Sequence, residues 1–149
     1  MKINKLKIAV VAPRFHTNLY YRVKALERAG YIVKVFSLYK GISEYHKDVD
    51  LIIVNESLLS KIISKLLRLF KKTYLKSNLE LKLMSPSIIL KREILKFKPD
   101  LILIKSFMDI LLHKVIRIAK KINAKIIILL RGSWVPISFI VFTTVFINL

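Results

Sequence analysis

Five short apolar runs punctuate this chain: Lys7 to Ala12, Ile32 to Leu38, Asp50 to Asn55, Leu101 to Lys105 and Lys125 to Leu130. Most of the segments between them carry apolar residues at helical spacing. Runs this short, nearly continuous in hydrophobicity and rich in β-branched residues, suit strands covered on both faces. Strands alternating with helices pair in parallel through crossover connections. The pattern predicts an α/β fold: a doubly wound, Rossmann-like parallel sheet of about five strands, in the order 3-2-1-4-5. In that order the winding reverses between strands one and four. Open sheets of this kind receive ligands in the crevice outside the carboxyl ends of those two strands.

The first unit, Lys5 to Leu38, is the most complete. Pro13 is expected to end its strand. Arg14, Phe15, His16, Thr17 and Asn18 then form a loop at the carboxyl edge, with Thr17 or Asn18 capping the next helix. Leu19, Val23 and Leu26 fall on one face of that helix, and Gly30 closes it in the left-handed conformation before the second strand. Tyr39 to Val49 reads as a polar loop. Its Asp48-Val49-Asp50 has the form of a metal-binding carboxylate pair. It precedes its strand, however, and so falls at the edge opposite the ligand, where a solvated turn is the expectation.

Ser57 to Tyr74 places Leu59, Ile62, Ile63, Leu66, Leu67 and Phe70 at helical spacing, with Lys61, Lys65, Arg68, Lys71 and Lys72 between them and no acidic residue. Two readings stay open. One is a crossover helix packed on the sheet, and the other a surface that lies on anionic lipid. Pro86 to Phe97 forms a further helix, stopped at Pro99, with Ile89, Ile94 and Phe97 turned inward. After the fourth strand, Ser106-Phe107-Met108-Asp109 has the form of a capping box for a helix that ends at Asn123. Lys120 and Lys121 lie in the last turn of that helix, where cations suit the dipole.

Several function classes are excluded. With only three glycines, Gly30, Gly41 and Gly132, neither a dinucleotide fingerprint nor a P-loop can be written. No cysteine is present, so there is no disulfide frame and no thiolate zinc site. His16, His46 and His113 are scattered without metal spacing. No metal or cofactor is expected. The net charge of +19, from 28 Lys and Arg against 9 Asp and Glu, biases the protein toward polyanions. Nucleic acid is disfavoured, because no exposed strand interleaves aromatic with basic side chains. The candidate ligand residues are those the predicted crevice collects: Arg14, His16, Thr17, Asn18, Ser106, Asp109 and Arg131. His16 stands out, a titratable ring in a loop at a strand's carboxyl end. Residues 1–131 read as one domain and residues 132–149 as an uncharged apolar tail, only marginally long enough to span a membrane.

Three segments carry a resemblance: Lys-Ile-Ala-Val-Val-Ala-Pro at Lys7 to Pro13, Leu-Glu-Arg-Ala-Gly-Tyr-Ile-Val-Lys-Val-Phe at Leu26 to Phe36, and Phe-Lys-Pro-Asp-Leu-Ile-Leu-Ile at Phe97 to Ile104. Together they resemble the N-terminal half of a GT-B glycosyltransferase of the retaining family 4 kind. The resemblance implies an acceptor-side domain whose partner is a lipid- or polysaccharide-linked sugar acceptor. It also implies that the nucleotide-sugar half lies outside this chain, which would be inactive alone. A cytoplasmic protein, peripheral at the inner face of the membrane, is the corresponding expectation. The alternative is a non-enzymatic basic α/β module that binds anionic membrane or nucleic acid.

Overall fold

A computed structural model of the chain describes residues 5–39, 48–69, 83–105 and 109–129. Among them are nine elements: β1 (Lys7–Arg14), α1 (Thr17–Arg28), β2 (Ile32–Tyr39), β3 (Leu51–Ile53), α2 (Leu58–Leu69), α3 (Ile88–Phe97), β4 (Leu101–Ile104), α4 (Ile110–Ile122) and β5 (Lys125–Ile128). The strands form one sheet, all parallel, in the order β3-β2-β1-β4-β5. This is the α/β Rossmann-like architecture and the strand order expected from the sequence.

Alternation along the central strands sorts the core into two layers. Ile8, Val10 and Ala12 of β1, with Val33 and Val35 of β2, face α1 and pack with its Leu19 and Val23. Ala9 and Val11, with Phe36, Leu38, Ile102, Ile104 and Ile126, face the opposite way, onto Leu90 and Ile94 of α3 and Leu111, Val115, Ile118 and Ala119 of α4. Helices on both faces make the sheet doubly wound, and they explain why its strands carry no polar stripe.

β1 runs two residues past its expected end, through Pro13 to Arg14. The reason lies in which neighbour each residue addresses. Leu6 accepts from Ile32 on β2, whereas Lys7 and Val11 accept from Asp100 and Lys105 on the β4 side. Pro13 therefore points its missing donor toward β4, whose ladder with β1 stops at Val11↔Ile104. On the other side, Arg14 still pairs with Tyr39. A proline is tolerated where no ladder bond is asked of it.

The helix ends mostly follow the residues. Gly30 takes φ +90 after α1, and a Cβ added there would meet no atom within 4 Å, so the backbone conformation alone selects glycine. Lys98 and Asn123 close α3 and α4 in the same left-handed region. The starts differ from expectation. The residue ahead of α1 is His16, whose carbonyl accepts from Leu19 and Tyr20 at 2.8 and 3.0 Å, while Thr17 and Asn18 lie inside the first turn. β1 reaches Arg14, so the loop is too short to leave Thr17 outside the helix. Likewise, α4 is capped by Asp109, whose Oδ1 accepts the Leu112 amide at 2.8 Å, while Ser106 of the expected capping box lies outside the described residues. Aspartate is as good a cap as serine and sits directly before the apolar run.

α2 departs most from expectation. Ser60 and Ser64 are its buried residues, and Ile63 and Leu67 are half-buried. Leu59, Ile62 and Leu66, which the packed-crossover reading would turn inside, are exposed together with Leu58 and Leu69. The polar inward face has a cause in a clip at the root of the helix. Glu56 bridges Pro86, Ser57 donates its amide to the Ser85 carbonyl, and the Ser60 hydroxyl accepts the Ser85 amide at 3.2 Å. Ser87 Oγ also donates to the Val54 carbonyl. These bonds fix the azimuth of the helix by its serines, which leaves the leucine stripe turned out.

Candidate functional site

The carboxyl edge at the switch between β1 and β4 is formed by the ends of these strands and the starts of α1 and α4. Arg14 ends β1 half-buried, with its Nε buried, and His16 follows half-exposed; Thr17 and Asn18 are exposed on the first turn of α1. Phe15, between them, is not a loop-surface residue. It is 2% exposed and plugs the layer beneath α1 beside Leu19 and Val10. Its burial anchors the loop and leaves Arg14 and His16 on either side of it.

Across the switch, Lys105 follows β4, its amide bonded to Val11, and Asp109 starts α4. Asp109 is buried and spends one carboxylate oxygen on the Leu112 amide, so its role is to hold the helix start in place. Ser106 and Arg131, the other two crevice candidates, lie outside the described residues, as does His46. His113 stands exposed on α4. Two crevice residues escape a reading by motif. Tyr39 pairs with Arg14 at the end of β2, and Lys105 extends β4. Both become visible once the strand order is drawn and the last residue of each strand is asked about.

Neither α1 nor α4 has an acidic residue in its first turn. Both begin at this edge, but the Asp109 carboxylate caps α4 and takes its Leu112 amide, so the positive charge here comes from Arg14, Lys105 and the first amides of α1. Arg14, His16 and Lys105 thus gather at this edge.

The carboxylates of Asp48 and Asp50 lie at the opposite edge. Asp48 accepts from the Tyr20 hydroxyl at 2.9 Å and pairs with Lys24 at 3.1 Å, and Asp50 pairs with Lys34 at 3.2 Å. Lys24 also donates to Glu27 within α1 and to the Asp48 carbonyl, and the bonds to Asp48 tie α1 to the segment before β3. No group of three His, Cys, Asp or Glu side chains able to hold a metal occurs among the described residues. The hydrogen bond from Lys24 holds the Asp48 carboxyl below its ordinary value, 3.8, with a further contribution from Tyr20. The same contacts, Glu27 first, raise Lys24. A depressed carboxylate contributes stability above its unfolded pKa and loses it as pH falls through the lower folded value. The Asp48 carboxyl is thus expected to titrate below 3.8 in a carbon-detected NMR series, and Lys24→Met to move its midpoint back up.

The five cations named for a membrane-facing helix divide in the structure. Lys61 and Lys65 are exposed on α2 next to the leucine stripe, the Arg68 side chain lies outside what is described, and so do Lys71 and Lys72. No helix among the described residues is long and apolar enough to cross a membrane, and residues 130–149, with the apolar tail, lie outside them.

Comparison with family models, with curated proteins and with solved structures gives no match to this chain.

Proposed function

We propose that this chain is the acceptor-side half of a nucleotide-sugar-dependent glycosyltransferase. The observation that carries the proposal is the placement of Arg14, His16 and Thr17 at the carboxyl end of β1, beside the switch in a sheet of order β3-β2-β1-β4-β5. The sequence resemblance points to the same chemistry. A sugar hydroxyl brought to His16 has a group that can accept its proton, and Arg14 and Lys105 offer charge to a phosphate or carboxylate on the acceptor. The donor nucleotide has no glycine-rich cradle here, so transfer requires a second, nucleotide-binding domain.

The test is binding by amide NMR. Oligosaccharide and lipid-linked sugar acceptors are expected to shift Arg14, His16, Thr17 and Lys105, while nucleotide sugars leave them unmoved and are not turned over. Turnover of a nucleotide sugar by this chain alone, abolished in His16→Ala, would overturn the proposal, and so would acceptors that shift none of these residues.

A second reading, a basic α/β module that docks on anionic membrane, is favoured by one observation. Leu58, Leu59, Ile62, Leu66 and Leu69 form an exposed stripe along α2 with Lys61 and Lys65 beside it. The two readings are compatible where the acceptor is carried on a lipid. Placement at the inner face of the membrane belongs to this reading.

A further inference from the structure

A groove of about 380 Å³ runs between α3 and α4, and none of the crevice residues lines it. Lys91 of α3 and Lys114, Arg117 and Lys121 of α4 line it above a floor that includes Leu90 and Ile118. The three α4 cations follow i, i+3, i+7 spacing, which sets them on one side of the helix over about 10 Å of its length. No acidic residue lines the groove. Lys114 is held at one end, its ammonium donating to Ser85 Oγ at 2.7 Å and to the Pro86 carbonyl at 3.3 Å, which leaves a third donor. The floor is apolar and closed, with Leu90 1% and Ile118 6% exposed, whereas Ile88 at the mouth is 81% exposed.

Four like charges around one groove repel one another, and an anion between them relieves that repulsion. The floor narrows the choice of anion. A nucleic-acid groove is expected to offer aromatic side chains for stacking, and this one has none. Aliphatic floor and cationic rim together match an amphiphile with a phosphate head and a hydrocarbon chain. We infer that this groove binds the phosphate head of an alkyl or acyl lipid, with Arg117, Lys121 and Lys91 on the phosphate and the chain lying along the closed floor and covering Ile88 at the mouth. Ser57, immediately before α2, lines the same groove, so the site opens beside the root of the leucine-striped helix. The inference is independent of the glycosyltransferase reading, whose residues lie at the crevice.

Titration with monomeric alkyl phosphates separates this site from general attraction to a membrane. Inorganic phosphate, butyl phosphate and octyl phosphate, each below its micelle concentration, are added to the full chain and followed by amide NMR and calorimetry. Affinity is expected to rise with chain length, by up to about fourfold for each methylene buried, with shifts at Lys91, Arg117 and Lys121. Arg117→Gln with Lys121→Gln, both exposed positions, is expected to weaken octyl phosphate at least tenfold at an unchanged melting temperature. Lys61→Gln with Lys65→Gln is expected to leave it as in the wild type. Equal affinity for inorganic and octyl phosphate would show an anion site without lipid character and overturn the inference. A hexaglutamate peptide or a short oligonucleotide that binds the groove more tightly than octyl phosphate would also overturn it, as would an unaffected double variant.

Discussion

Phe36→Ala is expected to lower the unfolding free energy by about 3–5 kcal/mol, the range for deleting a buried aromatic ring. Phe36 is 0% exposed at the centre of β2, between Val11 on β1 and Ile52 on β3. Its ring leans on Phe97 at 6.5 Å, and Phe97 in turn lies under the ammonium groups of Lys7 and Lys34. The substitution therefore opens a cavity where three strands and α3 meet. A domain of this size has roughly 5–15 kcal/mol to lose, so the variant is expected to be partly unfolded at 37 °C. Urea denaturation reads the effect as a lower midpoint at unchanged slope. Phe36→Leu, which keeps most of the volume, is expected to cost under about 1.5 kcal/mol, and Tyr21→Ala, at an exposed ring on α1, less than about 0.5 kcal/mol. Similar costs for Phe36→Ala and Tyr21→Ala would contradict the packing described.

The second large effect concerns the outward stripe of α2. Vesicles rich in anionic lipid are expected to sediment the protein, and the triple variant Leu59→Ser, Ile62→Ser, Leu66→Ser to lower the partition coefficient by about two to three orders of magnitude. The size follows from exposure. These side chains are 67%, 55% and 52% exposed, so a bilayer interface could cover more than half of each. Full burial of such a side chain is worth about 1.5–3 kcal/mol, which for three half-covered chains gives about 3–4 kcal/mol. Lys61→Gln with Lys65→Gln is expected to remove about 1 kcal/mol per charge, and only at low salt. Because the three apolar positions face outward, the melting temperature should hold. A triple variant that sediments like the wild type would end the membrane reading. One that no longer folds would return these residues to the protein interior.

Sheet order was readable because each strand is a separate apolar run, bounded by residues with their own local reasons: Gly30, Pro99 and Asn123 all stand where the chain turns. Less readable were features that depend on a neighbour in space. Pro13 reads as a terminator in isolation, yet the end of β4 beside it removes the penalty. Nothing in the spacing marks Ser60 and Ser64 as the buried side of α2; Ser85, brought alongside by the clip, gives Ser60 Oγ a donor. The azimuth of α2 was therefore closed to a reading by periodicity, since that helix carries enough leucine and isoleucine to bury either of two faces. In the crevice, the places of Arg14 and His16 follow from strand position, while the capping bond of Asp109 shows only once the Leu112 amide is seen on it.

The middle position of β1 sets an order of events in folding. One side of it pairs with β2, delivered by the helix that immediately follows, whereas the other waits for a segment 93 residues away, where the Asp100 carboxylate accepts the Lys7 amide at 2.8 Å. A chain made from its N-terminus can thus assemble β1, α1 and β2 early while the β4 side of β1 stays unpaired until the segment 93 residues further on has been made. Closing so long a loop is slow, and until it closes an apolar strand presents a bare edge to other chains. Pro13 and Lys7 sit at the two ends of that edge, one without a donor and the other charged, and both blunt it during the interval when it has no partner.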